Sequence, residues 1–126
     1  MKPSTPHVDE ALAPLRALVE AAGVDYKLVG GLAVIHHGYQ RLTVDIDVLV
    51  ERGGMEKLAP HLAQYGFSRP RHDRLRHDAT GVHVDFLEEG VQMARAGAPT
   101  FPSPASLAAS TSDPTIVALA PLLELK

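Results

Sequence analysis

Apolar positions recur along the chain in two rhythms, one helical and one alternating. Between Val8 and Ala22 the residues Leu12, Leu15, Leu18 and Val19 return at helical spacing, and Ala11 and Ala22 extend the stripe. This predicts an amphipathic helix closed by Gly23. Pro14 falls inside the pattern, so the helix either starts near Ala11 with Pro14 in its first turn or kinks. Tyr26 to Val29 is a short apolar run that predicts a buried strand, broken by Gly30 and Gly31. A short apolar helix over Leu32 to His37 follows, then a loop with Gly38, Arg41 and Thr43, then a second strand from Val44 to Val50. After a turn at Glu51 to Gly54, Met55 to Tyr65 predicts another amphipathic helix with Leu58, Leu62 and Tyr65 on one side and Gly66 at its end. Phe67 to Arg71 is predicted to be extended, and Pro70 confines it to an edge or a loop. Leu75 to Ala79 and Val82 to Leu87 flank Thr80-Gly81, a hairpin signal. Alternation in the second of these runs sends Val84 and Phe86 to the core and His83 and Asp85 to the other face. Val91 to Ser112 is rich in Ala, Pro, Gly and Ser and predicts a loop with one short strand near Thr100. Thr115 to Ala120 reads as a strand or a helix start, and Pro121 to Lys126 as the beginning of a helix. Strands interleaved with helices predict an α/β fold: a small mixed sheet flanked by helices.

Composition narrows the class. The 126 residues suit one domain, 1–126, with the proline-containing stretch 1–7 frayed. Hydrophobic residues at 45% and charged residues at 21% are an ordinary globular balance. A net charge of -3 excludes a broadly basic nucleic-acid wrapper and leaves room for a local basic groove. The chain has no cysteine, hence no disulfide framework and no thiolate metal site. No apolar run approaches the ~20 residues that span a bilayer, and the N-terminus lacks a signal-peptide pattern. The expectation is a soluble cytoplasmic protein with no membrane partner.

The candidate chemistry lies between Tyr26 and Val50. On a strand, Asp45 and Asp47 project to one face while Ile46 and Val48 point to a core. Neighbouring carboxylates repel and are costly to desolvate, which calls for a cation between them. Asp85, on another strand, supplies a third carboxylate if the two strands are neighbours. Oxygen ligands of this kind suit Mg2+ or Mn2+, and a two-metal site would hold its ions about 3.5–4 Å apart. Asp45 and Asp47 then bind metal and nucleotide phosphates, while Asp85 binds a second metal and serves as general base. Gly30 and Gly31, lacking Cβ atoms, allow close approach to phosphate oxygens, and the following helix presents its N–H groups to an anion. Arg41, as a bidentate donor, and Thr43 are placed to reach a triphosphate or hold the loop. The run Arg69 to His77 carries four arginines and two histidines. It is a solvated face or a local RNA- or phosphate-binding patch, without the aromatics that signal base stacking. Of His36 and His37, one is expected to pack and the other to lie near the site mouth; His83 shares the Asp85 face.

The pattern Val29-Gly30-Gly31, a short helix, Arg41-x-Thr43-x-Asp45-x-Asp47 and a later apolar-Asp-apolar strand at Asp85 resembles the nucleotidyltransferase superfamily, with its polymerase beta-like fold. Within it the chain is most similar to bacterial AbiEii-type toxin nucleotidyltransferases and their minimal relatives, over about residues 10 to 126. The resemblance implies Mg2+-dependent transfer of a nucleoside monophosphate from an NTP, ATP among them, to a hydroxyl of a tRNA 3′ end or of a protein. It implies a toxin-antitoxin or antiviral-defence setting with a cognate antitoxin. By the matching motif Gly30 and Gly31 take the nucleotide-loop role, Asp45, Asp47 and Asp85 the metal roles, and Lys126 matches a lysine that reaches the triphosphate. The chain departs from the pattern at Gly31, where many members have Ser. It also departs in lacking the C-terminal helical half, which a homodimer would replace. The rival from another class is a non-catalytic nucleotide- or partner-binding module. A third reading is the regulatory half of a two-gene pair, modifying its partner protein.

Overall fold

The protein is described here as a computed structural model, covering residues 6–38, 45–91 and 99–118. Helix α1 runs Pro6–Ala21, so Pro14 lies in its body and not in its first turn. Val8, Ala11, Leu15, Leu18 and Val19 are all fully buried, whereas the neighbours Glu10, Ala13 and Ala17 are exposed. Pro14 lacks an N–H and crowds the carbonyl four residues back. That carbonyl belongs to exposed Glu10, where water can replace the missing donor. The helix ends as predicted at Gly23, whose φ is +68°. Val24 N–H donates to Val19 O and Gly23 N–H to Glu20 O, both at 3.1 Å, the paired bonds of a glycine-terminated helix.

Strand β1 (Tyr26–Val29) leads directly into helix α2 (Gly30–His36), so both glycines lie in the first turn of the helix. Strand β2 spans Ile46–Val50. Helix α3 is only Gly54–Leu58, followed by tight turns at Ala59–His61 and Ala63–Tyr65. The single helix predicted over Met55 to Tyr65 is thus broken. Pro60 explains the break, because it cannot donate the bond that would continue the helix. Strands β3 (Phe67–Arg71), β4 (Arg74–His77) and β5 (His83–Glu88) complete the sheet.

Among the described residues the sheet has five strands in the order β1-β2-β5-β4-β3. Among these five strands only β2 and β5 pair in parallel; the other pairs are antiparallel. The predicted α/β class with a small mixed sheet is what forms. Pro70 sits on edge strand β3, where a missing donor costs no ladder bond. The β4–β5 hairpin closes through Gly81, whose N–H donates to His77 O at 2.7 Å. Register places Leu28, Ile46, Val48, Val84, Phe86 and Leu75 on one face, and all are buried in a single cluster with the α1 stripe and with Met55 and Leu58 of α3. No helix among the described residues is long and apolar enough to cross a membrane.

Of the two readings of Thr115 to Ala120, strand or helix start, the extended one holds at Ile116 and Val117. Ile116 bridges Leu28 in parallel, and Val117 bridges Ala109. Leu28 N–H donates to Thr115 O at 2.7 Å, and Val117 N–H to Leu28 O at 3.2 Å. Thr115 to Val117 therefore extends the sheet beyond β1, with Ile116 and Val117 buried. Thr100 makes an isolated bridge, as predicted for a short strand there. The helix predicted from Pro121 to Lys126 lies outside the described residues.

Asp113 pins this segment to α1. Its Oδ2 accepts from Arg16 at 3.1 Å, and its Oδ1 accepts from the Thr115 N–H at 2.9 Å and hydroxyl at 2.6 Å. Burial works to raise the Asp113 pKa, but the bonds from Thr115 and Arg16 more than offset it and hold the carboxyl below its ordinary 3.8. A depressed carboxyl contributes stability above the unfolded pKa and loses it as pH falls through the folded value. Asp113→Ala is expected to lower unfolding free energy by about 1–2 kcal/mol at neutral pH, measured by urea denaturation. The difference from wild type should shrink as pH drops below 3.8; a gap that stays constant into acid would contradict this account.

Candidate active site

The parallel register of β2 and β5 sets Asp47 opposite Asp85. Both are half-buried and lie on the face opposite Ile46, Val48, Val84 and Phe86, as the alternation predicted. Asp45 differs from expectation: it occupies a bend just before β2 and is not on the strand. It still approaches the cluster, because Asp45 Oδ2 is 3.9 Å from an Arg74 terminal nitrogen. The Asp45 and Asp85 side chains keep 39% and 27% of their surface exposed, so a ligand from solvent can reach both.

Arg74 is the central cation. Register on β4 places it directly opposite Asp85. Its Nε donates to Asp85 Oδ1 at 2.7 Å and its terminal NH2 to Oδ2 at 3.2 Å, a two-pronged charge-assisted pair. The hydrogen bond with Asp85 raises the guanidinium pKa further, and the nearby charges of Asp85, Asp45 and Asp73 add to it against a desolvation cost. In the sequence Arg74 lies inside the 69–77 charge run with nothing to single it out. The signal lies in the cross-strand register, which periodicity alone does not supply.

Gly30 explains one half of the glycine pair. Its φ is +65°, and a Cβ there would lie 2.1 Å from Asp47 Oδ2 and 2.8 Å from Asp47 Cγ. Glycine is required twice over, for the left-handed backbone and for the room that the Asp47 carboxylate takes. The group that comes close at this position is the Asp47 carboxylate. Gly31 follows in the first turn of α2. Arg41, Thr43 and Lys126 lie outside the described residues.

The histidines have structural partners. His36 Nε2 is 2.8 Å from Ser110 Oγ and 3.1 Å from Ser112 Oγ. His37 Nε2 donates to Val117 O at 2.8 Å. Both thereby tie α2 to the C-terminal segment, whereas one was expected at the site mouth. His83 is half-buried, opposite Arg76 and on the Asp85 face. The arginines of the 69–77 run are met locally. Arg69 donates to His72 O at 2.8 Å, Arg71 lies 3.6 Å from Asp73, and Arg76 donates to Asp78 Oδ1 at 2.9 Å. His77 is buried, beside Phe67 and within 2.8 Å of Thr80 Oγ1. Much of the run's positive charge is thus balanced before any phosphate arrives.

No family model, characterised protein or solved structure matches the chain. The site has to be judged on its own groups. The Asp45, Asp47 and Asp85 donors are all carboxylate oxygens, which suits a hard divalent ion. Among the described residues, no three His, Asp or Glu side chains converge closely enough to hold one ion as they stand. Arg74 reaches two of the three carboxylates, in the space where a cation would serve them. The donor oxygens are of the type Mg2+ or Mn2+ takes, but as placed they do not form a site for one ion among the described residues.

A cavity of about 300 Å³ opens further along β5, walled by Met55, Phe86, Leu87 and Phe101 with Asp73 and Glu88 at its rim. Phe86 and Leu87 directly follow Asp85 in the chain, and none of Asp45, Asp47, Arg74 and Asp85 lines this space. It joins segments far apart in the chain, and no local pattern announces it.

Gly30→Ala is expected to lose about 1–2 kcal/mol from the left-handed backbone alone and to displace the Asp47 carboxylate. Gly23→Ala is the control, since its φ is +68° but nothing lies within 4 Å of an added Cβ. Thermal melts should rank Gly30→Ala as the less stable variant; equal melting would show that Asp47 does not press on this glycine.

Proposed function

We propose that the chain is a metal-dependent nucleotidyltransferase with a polymerase beta-like fold. The observation that carries this reading is the juxtaposition of Asp47 and Asp85 on parallel neighbouring strands, with Asp45 beside them and Gly30 shaped around Asp47. Carboxylates set abreast on one sheet face concentrate negative charge there. A site that places them beside an open face has a use for cations and for the anions that cations bring.

In this scheme Asp45 and Asp47 hold Mg2+ or Mn2+ together with the nucleotide phosphates, and Asp85 completes the carboxylate set. When bound, the metal neutralises phosphate charge and makes the attacking hydroxyl more acidic. The acceptor oxygen forms a bond to the α-phosphorus of the NTP, the bond from that phosphorus to the bridging oxygen breaks, and pyrophosphate leaves. The hydroxyl proton passes to the Asp85 carboxylate as general base. Gly31, Arg41, Thr43 and Lys126 are assigned to the triphosphate on the strength of the motif. The acceptor is a hydroxyl of RNA, at a tRNA 3′ end, or of a protein, and the setting is a toxin-antitoxin or defence system.

One observation favours the non-catalytic alternative. Asp85, the intended base, is engaged by Arg74 through two bonds. A module that only binds nucleotide or a partner could keep that pair permanently.

Incubation with each labelled NTP, Mg2+ and either total RNA or total protein separates the readings. Transfer of label to one fraction is expected, with Asp47→Ala lowering the rate by roughly 100-fold or more, on the scale of losing a main electrostatic group. Undiminished transfer by Asp47→Ala would refute the scheme. Nucleotide binding without label in either fraction would support the module.

A further inference from the structure

We propose that the cavity along β5 is a binding site for a small organic amine, a protonated nitrogen on an aromatic or branched apolar body. The inference stands apart from the nucleotidyl-transfer reading, because no member of the carboxylate cluster lines this space.

The cavity is built from parts with separate tasks. Met55, Phe86 and Phe101 give it apolar walls. Met55 and Phe86 are buried and belong to the core. Backbone bonds fix the remaining wall. Phe86 N–H donates to Asp73 O at 2.8 Å, Gly90 N–H to Phe101 O at 2.9 Å, and Phe101 N–H to Val91 O at 2.9 Å. The turn at Asp73, strand β5 and the segment carrying Phe101 are thus held at set spacings around a space of about 300 Å³. Ligand pockets span roughly 300–1,000 Å³, so the occupant is a small molecule. Val91 also lines the space, keeps 51% of its surface exposed, and is the one large exposed hydrophobic side chain among the described residues. An apolar side chain left in water beside charged neighbours marks a contact surface.

Asp73 and Glu88 decide the charge of the occupant. Both line the space, and a carboxylate accepts at about four lone-pair positions. Glu88 Oε2 accepts from the Gly53 N–H at 3.4 Å, a long bond. Asp73 meets Arg71 at 3.6 Å, where both side chains are 62% exposed, a pair that water and salt screen. Neither contact exhausts its carboxylate. His72, the other polar residue of the lining, has its Nδ1 engaged by Arg69 at 3.2 Å. An anion would be repelled by the two carboxylates. A neutral apolar molecule would take water from them and return no charge-assisted bond. A protonated amine donates to them while its body covers Phe86, Phe101 and Val91, and a cation is attracted further by an aromatic face.

Phenethylamine is the probe, with phenylpropanol as its neutral analogue and phenylpropionate as its anionic one. Titration into the isotope-labelled chain, followed by nuclear magnetic resonance, is expected to give a Kd on the order of 1 mM for the amine, the scale set by so few atoms. Shifts should fall on Met55, Phe86, Val91 and Phe101, and both analogues should bind roughly tenfold more weakly, the scale of one charge-assisted bond. Glu88→Gln keeps an acceptor for Gly53. It should weaken the amine by roughly tenfold and leave the alcohol unchanged. A Glu88 that only holds the turn at Gly53 would change every probe alike, and that result overturns the proposal. Should Glu88→Gln fail to fold, Val91→Lys decides, since it sets a cation at an exposed position of the lining. Weaker amine binding is expected there, and affinity equal to wild type overturns the proposal. An amine unbound at about 10 mM, equal affinity for all the probes, or shifts confined to Asp45, Asp47 and Asp85 would also overturn it, and each leaves the nucleotidyl-transfer reading standing.

Discussion

The parallel pairing of β2 with β5 is the constraint on which the rest depends. Ile46, Val48, Leu49 and Val50 are fully buried on β2, and Val84 and Phe86 are buried beside them on β5. Burial of that apolar set is the main force holding the register. The same register leaves Asp47 and Asp85 abreast on the opposite face, so two like charges are brought together by hydrophobic packing that has no interest in them. A slip by one residue would send the carboxylates into the core and the valines to water, an exchange far more costly than the repulsion it would relieve.

Sheet order then supplies the answer to that repulsion. Because β4 hydrogen-bonds to β5, Arg74 arrives opposite Asp85. Because β1 hydrogen-bonds to β2, the turn into α2 arrives against Asp47, and Gly30 is the residue that lets it do so. The polar cluster is therefore walled by a cation on one flank and by bare backbone on the other. The C-terminal segment backs this arrangement from outside β1. Thr115 to Val117 extends the sheet, His36 and His37 anchor α2 to that segment, and the Arg16–Asp113 pair ties it to α1. The turn carrying Gly30 is thus held from both sides.

Much of this was legible residue by residue. The strand at Tyr26–Val29, the edge position of Pro70, the hairpin around Thr80-Gly81 and the outward aim of Asp85 follow from periodicity and turn chemistry, which are local. Other features were not legible. Pro60 cut a helix that the apolar spacing favoured, since one missing N–H outweighs a periodic stripe on so short a segment. Asp45 lies ahead of its strand because β2 pairs with β5 only from Ile46 onward and with β1 only from Asp47. Thr115 to Val117 carries no strand signal strong enough to separate it from a helix start, and its pairing depends on the exposed edge of β1.

By itself the sequence determined the alternation of strands and helices, the face on which Asp47 and Asp85 project, and the need for glycine after Val29. These depend on the spacing of side chains along one element. The tertiary structure alone decided which strands are neighbours. That choice set Asp47 beside Asp85, brought Arg74 into a cluster that looked purely acidic, and turned a charge run into a set of matched pairs. Strand order follows from how the whole apolar surface is best buried, and no local pattern encodes it.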